Sequence, residues 1–176
     1  ITKGTVGNQS YTAKWKANGN TPYTVNIYYM DVNGQYKEVP DITKTEAGET
    51  DTTATVPSSA YIKDGFSYDS TKSSDSGTIT GDGKLQLSLY YTRNQYDIAF
   101  KSYDGSETLY SYKGYYGTEI TFQGNKPVIK DEDYIYTFVG WSANKNSPYA
   151  LSSLGPVTEN KTFYAAFEKE ATFCLI

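Results

Sequence analysis

Apolar residues recur at every second position over short stretches of this chain, and almost nowhere at the three-to-four spacing of an amphipathic helix. In Tyr23-Thr-Val-Asn-Ile-Tyr-Tyr-Met30 the alternate residues Tyr23, Val25, Ile27 and Tyr29 share one face of an extended segment. Leu85, Leu87, Leu89 and Tyr91 do the same, as do Tyr96, Ile98 and Phe100. Tyr134-Ile-Tyr-Thr-Phe138 and Thr162-Phe-Tyr-Ala-Ala-Phe167 are further strand candidates, rich in aromatic and β-branched residues. The pattern predicts a mainly β protein with little helix. One candidate helical turn, Pro57-Ser-Ser-Ala-Tyr-Ile-Lys63, is too short to stand without tertiary support.

Asn33-Gly34, Asp82-Gly83 and Asp104-Gly105 punctuate these runs, glycine supplying the positive φ of a tight turn. Each predicts a hairpin. The second arms are Gln35-Tyr-Lys-Glu-Val39, the run from Leu85 (after Gly77-Thr-Ile-Thr80) and Thr108-Leu-Tyr110.

The segments also repeat. Tyr11-Thr-Ala-Lys-Trp15, Leu89-Tyr-Tyr-Thr-Arg93 and Phe163-Tyr-Ala-Ala-Phe167 are similar short strands, each followed by a polar connector and another extended run. This predicts residues 1–17 as the closing strand of a truncated preceding unit, 22–93 as one complete unit and 95–169 as a second. Residues 170–176 then start a further unit or form a tail. A connector of little more than Asn94 and Gln95 predicts limited bending between the complete units.

Composition narrows the function. Of 176 residues, 38% are hydrophobic, low for one large core, while 16% are aromatic, with 19 Tyr. That aromatic content argues against disorder. No run approaches the ~20 apolar residues of a membrane span. A net charge of −4 makes nucleic acid a poor partner. The chain has no His, which removes Ser-His-Asp and Cys-His catalysis and the commonest metal ligand. A lone Cys174 excludes an internal disulfide and a multi-Cys zinc site, and reads as an ordinary strand residue. Without an initiator Met, Ile1 is expected to lie inside a longer chain.

Tyr134-Ile-Tyr-Thr-Phe-Val-Gly-Trp-Ser142 followed by Gly155-Pro-Val-Thr-Glu-Asn-Lys-Thr-Phe-Tyr-Ala-Ala-Phe167 resembles the Listeria–Bacteroides repeat, the internalin B-repeat type of module. Phe138, Gly140 and Trp141, then Pro156, Val157 and Thr158, then Thr162, Tyr164 and Ala165 match its pattern. Phe167 replaces a terminal Trp that Tyr11-Thr-Ala-Lys-Trp15 retains. Residues 22–93 resemble the mucin-binding-protein type of surface repeat, through Asn26–Gly34, Gly65–Asp69, Ser76–Ile79, Asp82-Gly83 and Leu87–Tyr91, without the Gly-Trp pair. These resemblances imply β-grasp-like modules in a bacterial surface protein, extracellular and attached to the cell surface or wall. In such modules a Gly140 before Trp141 is expected to let the backbone pass close to the ring, so that Trp141 caps a thin core.

Candidate chemistry is sparse. Asp31-Val-Asn-Gly-Gln-Tyr-Lys-Glu38 is superficially like a calcium loop, but its Gly and Glu stand at the wrong positions, and a turn explains it. Asp131-Glu132-Asp133 reads as a solvated loop. Among Asp97, Asp104, Glu107, Glu119 and Asp131 no spacing singles out a glycosidase pair. Tyr110, Tyr112, Tyr115 and Tyr116, around Gly114 and Gly117, are candidate ligand contacts, weighed against cross-strand pairing within a sheet. A Lys–Asn or Lys–Asp isopeptide link is not assignable from sequence. Asn8-Gln-Ser10 and Asn160-Lys-Thr162 match glycosylation acceptors without evident meaning in a bacterial protein. No cofactor is expected. Three readings stay open: a spacer or stalk between neighbouring repeats, a binding module for a host surface protein or glycan, and an enzyme fragment. The first is favoured, with a part in adhesion, and no catalysis.

Overall fold

The computed structural model describes residues 4, 7, 8 and 10–172; Cys174 and most of the segment expected to begin a further unit lie outside the described residues. Along the chain the strands are β1 (Thr21–Tyr29), β2 (Ile42–Gly48), β3 (Thr53–Thr55), β4 (Phe66–Tyr68), β5 (Ser76–Thr78), β6 (Gln86–Arg93), β7 (Gln95–Lys101), β8 (Thr108–Tyr115), β9 (Tyr134–Ser142) and β10 (Lys161–Ala171). They form two four-stranded sheets, ordered β2-β1-β6-β4 and β8-β7-β10-β9, with β3 and β5 paired separately. Both sheets have one plan. An antiparallel hairpin opens each, the first and last strands lie parallel at the centre, and the penultimate strand flanks the last antiparallel. This is a β-grasp-like arrangement in a mainly β protein. The described residues contain no helix. At Pro57–Lys63 the bonds Ala60 N–H to Pro57 C=O (2.9 Å) and Ile62 N–H to Ser59 C=O (3.4 Å) make isolated turns. Paired serines favour turns over helix propagation.

The alternating faces build two separate cores. Val25, Ile27 and Tyr29 of β1 meet Leu87, Leu89 and Tyr91 of β6, over Ala54, Val56 and Ile79. In the second, Ile98 and Phe100 meet Phe163, Ala165 and Phe167, with Ile120, Trp141 and Val157. Each buried aromatic or branched side chain contributes roughly 1.5–3 kcal/mol. Trp141 caps its core as expected, its ring 4.6 Å from Phe122, 4.7 Å from Phe100 and 5.5 Å from Phe138. The role expected of Gly140 is corrected. Ala166 pairs with Gly140 and Phe167 with Phe138, so Val139 is an unopposed bulge residue. Gly140 takes φ +139°, and a Cβ there would press on Ala150 rather than on an aromatic ring.

Two hairpins differ from expectation. The Asn33-Gly34 turn exists, but the arm pairing with β1 is Ile42–Gly48, not Gln35–Val39. Asp31 Oδ1 accepts the N–H groups of Asn33 and Gln35, both at 2.8 Å, which closes a local turn and leaves Val39 exposed. Across Asp82-Gly83, β5 does not pair with β6 but with β3. Strand β4 flanks β6 only at Tyr91–Arg93; nearer the turn Ser74 exchanges backbone hydrogen bonds with Ser88 of β6 (2.8 and 2.9 Å), and the chain then leaves β6, so that β5 lies against β3. The Asp104-Gly105 hairpin forms as expected between β7 and β8 and runs on to Tyr115. Tyr11–Trp15, expected as a strand, carries no strand assignment, and Trp15 is 93% exposed. An extended segment needs a neighbour for its N–H and C=O groups, and no described segment pairs with it.

Candidate functional site: the joint between the two sheets

One residue, Asn94, separates β6 from β7. Both of its backbone groups are used, and they point to opposite partners. Its N–H donates to Gly65 C=O of the first unit (2.8 Å), and its C=O accepts from Tyr116 N–H of the second (2.8 Å). Its side-chain Oδ1 accepts from Ser67 Oγ at 2.7 Å.

Arg93 repeats this bridging with its side chain. Nε donates to Met30 C=O (3.1 Å) on the first unit and Nη1 to Tyr116 C=O (2.9 Å) on the second. The guanidinium lies 4.7 Å over the Phe66 ring, its cross-strand partner. A planar fork of donors can serve two carbonyls and stack at once; a lysine ammonium cannot. Arg93 is the single Arg of the chain, against fifteen Lys.

Close approach completes the joint. Gly65, at φ +76°, sits under the Tyr116 ring, and a Cβ there would overlap the ring. Gly34, at φ +78°, faces the Tyr115 hydroxyl in the same way. Loops of the first unit thus receive two adjacent Tyr from the end of β8.

The four tyrosines singled out from sequence therefore divide. Tyr115 and Tyr116 meet the first unit. Tyr110 and Tyr112 lie 5.7 Å apart, with Tyr110 against Phe100 and Phe122, and the Tyr112 hydroxyl accepts Thr121 N–H at 3.2 Å. Sequence reasoning places Asn94 in the connector and Gly34 in a turn, but names none of Arg93, Asn94, Gly34 and Gly65 as a contact between the units. The signals that find them are the lone Arg, the single-residue gap and two glycines in loops of the first unit.

The carboxylates serve turns and edges. Asp97 pairs with Lys113 at 2.8 Å, and its N–H donates to Asn160 Oδ1 at 2.8 Å. Asp131 Oδ1 accepts the N–H groups of Asp133 (2.9 Å) and Tyr134 (3.1 Å), capping the start of β9. Asp104 Oδ1 accepts from Ser106 N–H (2.9 Å) and from the Ser102 and Ser106 hydroxyls (both 2.7 Å). Those bonds, the backbone one first, hold its pKa down at about 2. Among the described residues no cluster of three metal-ligating side chains occurs. The buried polar side chains there are Thr21 and Ser142, so no described Lys is buried in the manner an isopeptide link requires.

No protein-family model matches the chain, and no curated protein matches it. Among solved structures it is similar to domains 3-4 of Streptococcal High Identity Repeats in Tandem (SHIRT) from a cell surface protein. The identity is 16% and the TM-score 0.30, over 85% of this chain and 99% of that one. The two repeat families named above rest on the quoted motifs alone.

Proposed function

We propose that this chain is a non-catalytic spacer segment of a bacterial cell-surface repeat protein. In this reading residues 22–93 and 95–169 are β-grasp-like units in series, held at a set angle so that the chain presents whatever adjoins it. The joint carries the proposal: Asn94 and Arg93 each bind both units, and a one-residue link with both backbone groups engaged has little freedom left. The surface location is supported by the repeat motifs quoted from the sequence.

Pulsed electron resonance tests it, with spin labels at exposed Glu46 and Glu168 in a C174S background. A narrow distance distribution is expected, and R93A should broaden it. R93K should broaden it nearly as much, because a lone ammonium nitrogen lacks the separate Nε and Nη1 donors and the flat face that stacks on Phe66. A wild-type distribution as wide as that of a variant with a Gly-Ser insertion after Asn94 would overturn the reading.

A further inference from the structure

The second unit has a groove that the joint does not use. Its volume is about 360 Å³, and it is lined by Ser102, Tyr103, Asp104, Ser106, Ile129 and Tyr136. Hairpin tip, irregular connection and β9 each supply part of the wall. Half of these residues are polar and two present aromatic rings. A larger hollow of about 410 Å³ lies over the β7–β8 face, where its two charged groups, Asp97 and Lys113, satisfy each other.

The two rings are fixed from behind. Buried Phe167 packs edge-on against Tyr103 (5.8 Å, 88°) and Tyr136 (6.2 Å, 81°), and the tyrosines meet at 6.2 Å and 68°. They make a rigid corner, so a ligand would not have to order them. Beside the corner stands Asp104. Its Oδ1 takes three hydrogen bonds from its own turn, while Oδ2 has no hydrogen-bond or ion-pair partner among the described residues. The carboxylate is ionised at any ordinary pH.

We infer that this groove is a binding site for a neutral carbohydrate. A pyranose has an apolar C–H face for a Tyr ring and vicinal hydroxyls that donate to a carboxylate oxygen, and the groove has room for one or two such rings. An anionic sugar would face Asp104. Outside the groove lining, the Lys169 ammonium lies 3.6 Å from the Tyr134 ring and 5.4 Å from that of Tyr136, so the cation-stacking position beside the corner is already taken by the chain itself. The site is independent of the joint, and its failure leaves the spacer reading untouched.

The test is a two-dimensional amide NMR titration of the whole chain with lactose, maltose, cellobiose and diacetylchitobiose, alongside sialyllactose and choline. At least one neutral disaccharide should shift the amides of Ser102–Ser106, Ile129 and Tyr136 saturably, with Kd near about 1 mM. D104N keeps a side-chain carbonyl to close the turn but loses the charge, and should weaken binding about tenfold or more. Y136L should abolish it, and the spectrum itself reports whether each variant is folded. Three results would overturn the inference: no saturable shift with any neutral disaccharide, shifts unaffected by D104N and Y136L, or binding of choline or sialyllactose in preference to the neutral sugars.

Discussion

Tyrosine dominates this molecule at the residue scale because one side chain can fill a small core and still reach a polar partner. Tyr29 and Tyr91 bury their rings while their hydroxyls donate to Tyr61 C=O (2.6 Å) and Ser58 C=O (2.9 Å). Burial pushes both phenols above their usual pKa. A raised pKa favours the protonated fold, so this stabilisation is complete below pH ~10 and is lost as pH climbs through the higher folded-state values. Asp104 works in the opposite sense: its contribution is complete above pH ~4 and is lost as pH falls through about 2. With no His in the chain, stability should stay flat between about pH 5 and 9, then fall on both flanks. Denaturant midpoints across pH, with tyrosinate absorbance followed on the alkaline side, check this; a step near pH 6 would contradict it. At the joint, G65A places a β-carbon against Tyr116 at a left-handed φ, and should cost about 1–2 kcal/mol or broaden the label distances above.

Elements show which features a sequence exposes. The central strands β1, β6, β7 and β10 were legible because alternate residues are large and apolar and end up buried. Strand β2, Ile42-Thr-Lys-Thr-Glu-Ala-Gly48, was not, because it lies at an edge and is held by backbone pairing with its side chains largely in solvent. Turn residues marked where the chain reverses but not which strands pair. Asp104-Gly105 joins neighbours, whereas Asp82-Gly83 links β5, which pairs with β3, to β6, which meets the β5 side of the chain only at the Ser74–Ser88 bridge. The joint was half legible: the short connector is visible, but its bonds depend on loops distant in sequence. The same holds for the groove, whose Tyr103 and Tyr136 stand 33 positions apart in the chain and meet each other and Phe167 only in the folded unit. The bulge at Val139 gives an element-level prediction. G140A forces a β-carbon toward Ala150 at φ +139°, and should destabilise the second unit by about 1–3 kcal/mol in chemical denaturation.

For the molecule as a whole, two cores mean two accounts of stability. L89A empties part of the first core only, and should cost about 2–5 kcal/mol there. Trp141 belongs to the second core, so with Trp15 replaced by Phe its fluorescence isolates that unit. In L89A the amide circular dichroism should show an early step in denaturant that Trp141 does not follow. A single coincident transition by both probes would mean that the units unfold together.

The passage of β6 into β7 through Asn94 alone has a geometric corollary. Successive residues of an extended chain face opposite ways, so one added residue at that point would turn the second sheet to the other side, while two would restore its azimuth at the loss of the Arg93 clasp. The compass bearing of the second sheet is thus written in the odd or even count of residues between Arg93 and Gln95.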